Sequence, residues 1–437
     1  LHYPLRRQRQ MCIRDRLYSY VVLPLILFIA VFVSIFNKKY RKAFWGRFSV
    51  LSRLKNYIIE QPTGKRNILI HCASMGEFEH IKPLIARLSD DPSNSIILTF
   101  FSPSGYEHVK KYAGIDLILY LPFDFPGTWR KIYQILKPVF LIISKHDTWP
   151  NQIWMANKFN IPVFLVNASL NEKSSRIKGL ARVLFNEVYK SFDKIYAVSE
   201  ADKKTFETHF ENISVQAIGD TKFDQVVLRK KQSEKTVHIP DEWVSQKLVL
   251  IFGSVWPEDL AHLKQPIKDL LKKNISVRII IVPHQPDTGH INEIKQFLTD
   301  EATSLFTNKS FSDEKRVLII NTVGVLADLY KYADIAYVGG SFKQGIHNVM
   351  EPAIYGIPIV FGPEYRNSND AVQLLQREGA LLIQNQNQAL NCFDKLINDK
   401  NYRAQLGKNA QKFALSFTGV SVKLLSLIHI SEPTRPY

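Results

Sequence analysis

Five short stretches of this 437-residue chain join residues that can do chemistry to residues that bend a backbone. In HCASMGEFEH (71–80) an apolar run ends near Ser74, Gly76 permits a tight turn, and Glu77 falls in the first turn of the helix expected next. A carboxylate at that place is favoured by the helix dipole. Set against a hydroxyl it is a general base; left alone it only caps the helix, and these residues by themselves leave both roles open. In GGSFKQGIHNVMEP (339–352) the glycines Gly339, Gly340 and Gly345 let backbone N–H groups approach a phosphate. A helix expected from His347 would aim its positive end at the same place. Glu351, one turn in, is set to accept from ribose hydroxyls, and Pro352 is tolerated in a first turn. FFSPSGYEH (100–108) and HDTWPN (146–151) each read as a strand end opening into a helix, with Trp149 expected to pack. GDTKFD (219–224) suits a hinge as well as it suits a ligand.

Some chemistries are excluded. No group of His, Cys, Asp or Glu has metal-site spacing, so neither a metal nor a cofactor is expected. The first strand ends in HCASMGE and not in G-x-G-x-x-G, which argues against a dinucleotide-binding dehydrogenase. Cys12, Cys72 and Cys392 are scattered, as in a reducing compartment without a disulfide framework.

These stretches need strand ends to hold them, and the chain supplies two sets. Apolar runs at 67–74, 95–102, 117–123, 139–144, 163–169 and 194–199 alternate with segments of helical length. Their Ile, Val, Leu and Phe content is that of strands buried on both faces of a parallel sheet. Alternation stops over 225–246, a polar stretch read as a linker, and resumes at 248–255, 277–283, 316–321, 335–340, 358–363 and 380–383. The expected fold is therefore α/β, with two Rossmann-like domains in the glycosyltransferase-B architecture. Residues 37–224 form the acceptor domain and 247–425 the nucleotide-sugar domain. Ligands in such sheets bind beyond the carboxyl ends of strands, and each stretch quoted above sits at one.

The net charge of +17 is unevenly placed. Residues 1–16 carry +4 and residues 38–55 carry +7 without a single acid. Between them lies LYSYVVLPLILFIAVFVSIF (17–36), uncharged and about one bilayer crossing long. It is read as an N-terminal transmembrane anchor, and the basic residues after it favour a cytoplasmic body. The termini, 1–16 and 426–437, resemble translated sequencing-adaptor read-through and are set aside as probable artefacts.

HCASMGE, TFFSPSGYE, WPN, GDTKFD, GSVWPED (253–259) and GGSFKQGIHNVMEP followed by GIPIVFGP occur in this order, and the set resembles the 3-deoxy-D-manno-octulosonic acid (Kdo) transferases, in variants like those of the Bacteroidetes-type branch. That resemblance implies a metal-free, inverting transfer of Kdo from CMP-Kdo to lipid IVA, the lipid A precursor, at the inner membrane. It places the catalytic glutamate on Glu77. It places the donor site on Ser254, His284 in IVPHQ, Gly339, Gly340, Gly345, His347, Asn348 and Glu351. On the acceptor side it points to Ser74, Gly76, Ser102, Ser104 and Asp147. Two departures stand out: His284 and Gln285 replace an Arg-His pair, and Lys145 and Asp147 stand where many members carry two acids. A UDP-sugar transferase of the same architecture is the alternative. A basic nucleic-acid-binding or scaffold protein fits less well, because the charge brackets one apolar segment and no nucleic-acid module is recognisable.

Overall fold

The computed structural model describes residues 18–109, 111–273, 276–298 and 303–430. It divides into two compact units, the first running to Gln225 and resuming at Gly419, the second running from Val226 to Thr418.

The first unit holds seven parallel strands: β1 (Arg66–Cys72), β2 (Asn94–Phe100), β3 (Leu117–Tyr120), β4 (Phe140–Ser144), β5 (Val163–Ala168), β6 (Lys194–Ala197) and β7 (Val215–Ala217), in the order β3-β2-β1-β4-β5-β6-β7. The middles of the longer strands are apolar because successive side chains enter opposite cores. Leu69 of β1 joins Ile97 and Leu141 on one face, while Ile68 and Ile70 join Ile96, Leu98 and Ile142 on the other. The second unit repeats the plan with β8 (Leu248–Val255), β9 (Val277–Pro283), β10 (Thr303–Leu305), β11 (Val317–Ile319), β12 (Ile335–Val338), β13 (Ile359–Phe361) and β14 (Ala380–Leu382), in the order β10-β11-β9-β8-β12-β13-β14. Both are Rossmann-like sheets, as the apolar runs implied.

Two strands, β7 and β10, are absent from the sequence-based expectation. Each has three residues and sits at a sheet edge, so neither produces a continuous apolar run. The expected linker is also revised. Residues 226–246 pack within the second unit: a helix spans Lys222–Ser233, and Ile239 and Trp243 are buried beneath β8 and its neighbours. The indole N–H of Trp243 donates to the carbonyl of Lys315 at 2.9 Å. A helix with a charged outer face followed by two apolar anchors looks structureless in sequence, because so few of its residues carry the packing.

The far end of the expected nucleotide-sugar domain is likewise revised. Residues from Gly419 onward return to the first unit, where the helix Val420–Ile430 buries Val420, Leu424 and Ile428 against the core that contains Phe78 and Ile81. The Asp224 carboxylate accepts the backbone N–H groups of Gly419 and Ser421 and so fixes the start of that helix. Ile428 lies inside the stretch set aside from 426, and it packs as a core residue. The other set-aside end, 1–16, lies outside the described residues, as does 431–437.

The apolar segment forms a π-turn, Tyr18–Val22, running into the helix Leu23–Phe36. By length and composition it can cross a membrane. Leu25, Phe28, Phe32 and Phe36 are more than half exposed along it. Its first turn is tied to the body: the Tyr18 hydroxyl donates to Asp124 at 3.0 Å, and the Ser19 hydroxyl donates to Asn151 at 3.1 Å. Asn37 breaks the helix, and the basic segment begins as a second helix, Lys38–Gly46.

Candidate active site

In the first unit, β1 ends at Cys72 and a helix spans Met75–Ser89. Ser74, extended at φ −147°, precedes the helix, and Glu77 is the acid of its first turn. Glu77 is only 8% exposed. Its Oε2 accepts the N–H of Ala73 at 2.7 Å, so the carboxylate reaches back to satisfy a donor just ahead of the helix. Burial pushes the Glu77 carboxyl above its ordinary value, the Ala73 bond and the nearby His71 ring pull it down, and Asp147 raises it again. One oxygen is therefore occupied in capping and the group is drawn toward a basic carboxylate. Of the two roles the sequence left open, the structure shows the capping contact, and it engages Oε2.

Beside it lies a pair that the sequence did not suggest. His71, the next-to-last residue of β1, is completely buried. Its Nδ1 meets the Thr99 hydroxyl at 3.0 Å, and its Nε2 meets Asp147 Oδ2 at 2.9 Å. Burial opposes ionisation of Asp147, but the bond and charge of His71 outweigh it and hold the carboxyl below its ordinary value. His71 Nε2 is thus the donor to an ionised Asp147. Lys145 follows β4 at φ +59°, a conformation disfavoured for a side-chain-bearing residue, and its charge also acts on Glu77. Strain of that kind concentrates at functional sites. His71, Glu77, Lys145 and Asp147 thus form one electrostatic group at the ends of β1 and β4. Ser102 and Ser104 stand at the end of β2 with their hydroxyls 2.9 Å apart, and Ser102 caps the helix Pro103–His108. Trp149 stacks on Phe101, ring centres 5.2 Å apart, so the packing role expected of it holds.

In the second unit the expected donor residues gather at the ends of β8, β9 and β12. Ser254 sits at φ +54° near the end of β8. Its carbonyl lies 2.3 Å from where a Cβ on Gly339 would be, so only glycine fits there. Gly340 has φ +78°. Its N–H, however, is not turned to a ligand. It donates at 2.8 Å to Asp259, a fully buried carboxylate that also accepts the Trp256 N–H at 2.9 Å and the Tyr337 hydroxyl at 2.7 Å. The N–H groups of Gly339, Ile346 and His347 are likewise bonded within the fold. Of the three glycine amides expected to face a phosphate, two are therefore corrected: that of Gly340 is taken by Asp259 and that of Gly339 by the carbonyl of Gly253. The expected helix start is corrected too. The helix begins at Met350 and runs only to Ile354, with Asn348 Oδ1 accepting the Met350 N–H at 3.0 Å. Residues 345–349 are instead pinned as a loop, partly through Asn367 to the N–H of Ile346 at 3.0 Å.

Neighbouring side chains form a stack. The rings of Trp256 and His284 lie 4.3 Å apart, and those of His284 and His347 lie 4.5 Å apart, each pair within 19° of parallel. The Trp256 indole N–H donates to His347 Nε2 at 3.0 Å, which fixes that nitrogen as an acceptor. Burial and then the neighbouring imidazole, His284 for His347 and His290 for His284, lower the pKa of each below its ordinary value. Glu351 accepts from Asn348 Nδ2 at 3.3 Å and lies 3.9 Å from the Arg229 guanidinium. Arg229 also faces Asp328 at 3.7 Å and donates to the carbonyl of Gly324 at 3.1 Å. Three residues were missed here. Arg229 was hidden in the supposed linker, and Trp256 and Asp259 sat in GSVWPED with their roles unassigned. Among the described residues, no group of three His, Cys, Asp or Glu is placed to hold a metal.

Residues 44–225 match the family model described as 3-deoxy-D-manno-octulosonic-acid transferase (kdotransferase). The 3-deoxy-D-manno-octulosonic acid transferase of Haemophilus influenzae is 27% identical over 418 residues, which cover 93% of this chain and 95% of that protein. The enzyme of the same name from Aquifex aeolicus is 30% identical over 318 residues, or 72% of this chain and 81% of that protein. Among solved structures, the UDP-GlcNAc 2-epimerase from Neisseria meningitidis bound to UDP-GlcNAc matches with a TM-score of 0.59 at 14% identity, over 84% of this chain and 100% of that one. At that identity the likeness shows the fold, two Rossmann-like units of the glycosyltransferase-B kind.

Proposed function

We propose a mechanism from one premise: this chain belongs to the 3-deoxy-D-manno-octulosonic-acid (Kdo) transferase family and is a glycosyltransferase that transfers Kdo in lipopolysaccharide biosynthesis. The donor is CMP-Kdo and the acceptor is lipid IVA. The observation that carries the mechanism is Glu77, a buried carboxylate with a raised pKa, one of whose oxygens is held by Ala73. Its other oxygen, Oε1, takes the proton of an acceptor hydroxyl as that hydroxyl attacks the anomeric carbon of Kdo. The bond from that carbon to the CMP phosphate oxygen breaks, its electron pair leaves with CMP, and the configuration inverts. Burial is what chiefly favours proton uptake by Glu77; Asp147 adds to it, and the His71 ring that Asp147 bonds opposes it.

CMP is already a good leaving group. What it needs is a shaped pocket in which its charge is met by fixed dipoles and cations. Ser254, His284 and His347 are the residues assigned to the phosphate, and Asn348 and Glu351 to the ribose side. The helix Leu23–Phe36, whose preceding turn is tied to the body, anchors the protein in the inner membrane, and the basic residues after it keep the body cytoplasmic.

The test is direct. Membranes containing the full chain are incubated with CMP-Kdo and lipid IVA, and the lipid is weighed by mass spectrometry. A product heavier by whole Kdo residues is expected, with CMP competing against the donor better than UDP. An unchanged lipid mass, or stronger competition by UDP, overturns the proposal.

A further inference from the structure

We propose that a pocket walled by the anchor helix seats one acyl chain of the lipid acceptor, an assignment that rests on the transferase mechanism above. The pocket has a volume of about 420 Å³ and lies wholly within the first unit. That lies within the roughly 300–1,000 Å³ of small-molecule pockets, room for one chain and not for several. One wall is the anchor, through Leu23, Ile26 and Val33. The opposite wall is the body, through Phe44, Phe101 and Trp149.

Its chemistry excludes a polar occupant. Two charged groups reach the pocket, Arg47 and Asp124, and both are engaged elsewhere. Asp124 is fully buried and accepts from the Tyr18 hydroxyl, the Trp129 indole and the N–H groups of Asn151 and Gln152. Arg47 donates to the carbonyls of Leu121 and Phe101, with its guanidinium 4.7 Å from the centre of the Phe101 ring. What remains, apart from Tyr40 and Ser102, is apolar surface, and apolar surface of this kind takes up hydrocarbon.

Position then selects the source of that hydrocarbon. A pocket with a membrane-crossing helix for one wall is reached from the acyl layer. Its lining includes Phe101, Ser102 and Trp149, which follow β2 and β4, neighbours of β1 in the sheet that carries the Glu77 group. Trp149 lies two residues beyond Asp147, which bonds His71. A chain seated there brings its headgroup to the base, which a bulk phospholipid has no reason to do. Charge agrees: exposed Arg41 follows the anchor and complements a phosphate of such a headgroup, while neighbouring Lys42 is paired with Glu107 at 2.8 Å.

The experiment uses the full chain in lipid nanodiscs. Acceptor carrying a photoreactive diazirine near the end of an acyl chain is irradiated with the protein, and labelled peptides are mapped. Label within 40–47 and 101–103 is expected, removed by excess unlabelled acceptor. Label confined to Leu25, Phe28 and Phe36, which face outward, overturns the pocket. Label displaced by excess phospholipid but not by unlabelled acceptor overturns the assignment to the acceptor. In parallel, Ile26→Trp, which fills the pocket from its rim, should raise KM for the acylated acceptor about tenfold. It should leave KM for a deacylated acceptor, and sedimentation with membranes, unchanged. Equal effects on the two acceptors, or none, also refute the pocket. If the unmodified chain transfers no Kdo to either acceptor, the transferase mechanism has failed, and the diazirine map still decides whether a lipid chain lies in the pocket.

Discussion

Replacing Glu77 by Gln separates its two jobs. The new side chain keeps an oxygen for the Ala73 N–H, now bonded at 2.7 Å, so the start of the helix Met75–Ser89 is preserved. What is lost is the oxygen that receives the proton. General-base catalysis is worth roughly 10²–10⁴-fold, so kcat should fall by that factor, or about 2.7–5.5 kcal/mol in the barrier. An amide N–H₂ left without a partner in this buried site costs about 1–3 kcal/mol, offset by the removal of a buried charge. The pH dependence has a definite sign. Because the folded protein raises the pKa of Glu77 above 4.5, the folded form holds this proton more tightly than the unfolded chain. The native protein therefore loses stability as pH rises from about 4.5 through the raised pKa. Glu77→Gln lacks that loss, so its Tm relative to the parent should climb over the same interval. The acid limb of the parent's kcat/KM profile should lie above the ordinary carboxylate range. Stopped assays of CMP release across pH, with thermal melts at the same values, read both. Turnover within about threefold of the parent, or an acid limb that persists in the variant, would show that the base lies elsewhere.

Activity should survive a strong chelator, since no metal-holding cluster occurs among the described residues; loss in chelator restored by magnesium or manganese would contradict this. Glu351→Ala should raise the donor KM with little change in kcat, because a contact kept from ground state to transition state acts on binding alone; steady-state kinetics with varied CMP-Kdo checks it. Donor KM should fall as pH is lowered below 7, because His284 and His347 are neutral there and gain positive charge only below their depressed pKa values; in His284→Asn the slope should flatten. In sealed inner-membrane vesicles with the cytoplasmic face inside, external protease should spare the body, and ready digestion would reverse the orientation.

Most of the fold could be read from the chain because buried parallel strands advertise themselves. NILIHC and VRIIIVP are apolar but for Asn67, His71 and Arg278, and β1 and β9 bury residues on both faces. The same reasoning failed where structure is carried by few residues. In VQA and TSL the strand is three residues at an edge. Around Ile239 and Trp243, two buried side chains hold a segment that is otherwise polar. The C-terminal helix was misassigned for another reason. Val420, Leu424 and Ile428 have ordinary helical spacing, and nothing in that spacing states which core receives them. The deciding contact is the Asp224 carboxylate with Gly419 and Ser421, nearly two hundred residues apart in the chain.

The site divides along the same line, and the division bears on mechanism. Glu77, Gly339 and Glu351 were legible because a turn glycine or a helix start marks them locally. His71 was not, since a histidine inside an apolar strand carries no sign that its partners are Thr99 and Asp147. Yet that pair acts on Glu77 from both sides, His71 lowering its pKa and Asp147 raising it. The loss of one acid at Lys145 would by itself lower the pKa of Glu77 and weaken it as a base, for the lysine charge acts in that direction. Burial is the larger force on Glu77 and acts the other way, and Asp147, kept ionised by His71, adds to it. On the donor side a similar exchange has occurred. Where the family resemblance implies a guanidinium stands His284, an imidazole held parallel between Trp256 and His347, and Asp259 takes up the Gly340 amide. Each departure from the family pattern removes a permanent charge or introduces one of the opposite sign. In each, what surrounds the new residue is a stacked or buried partner that no local motif records.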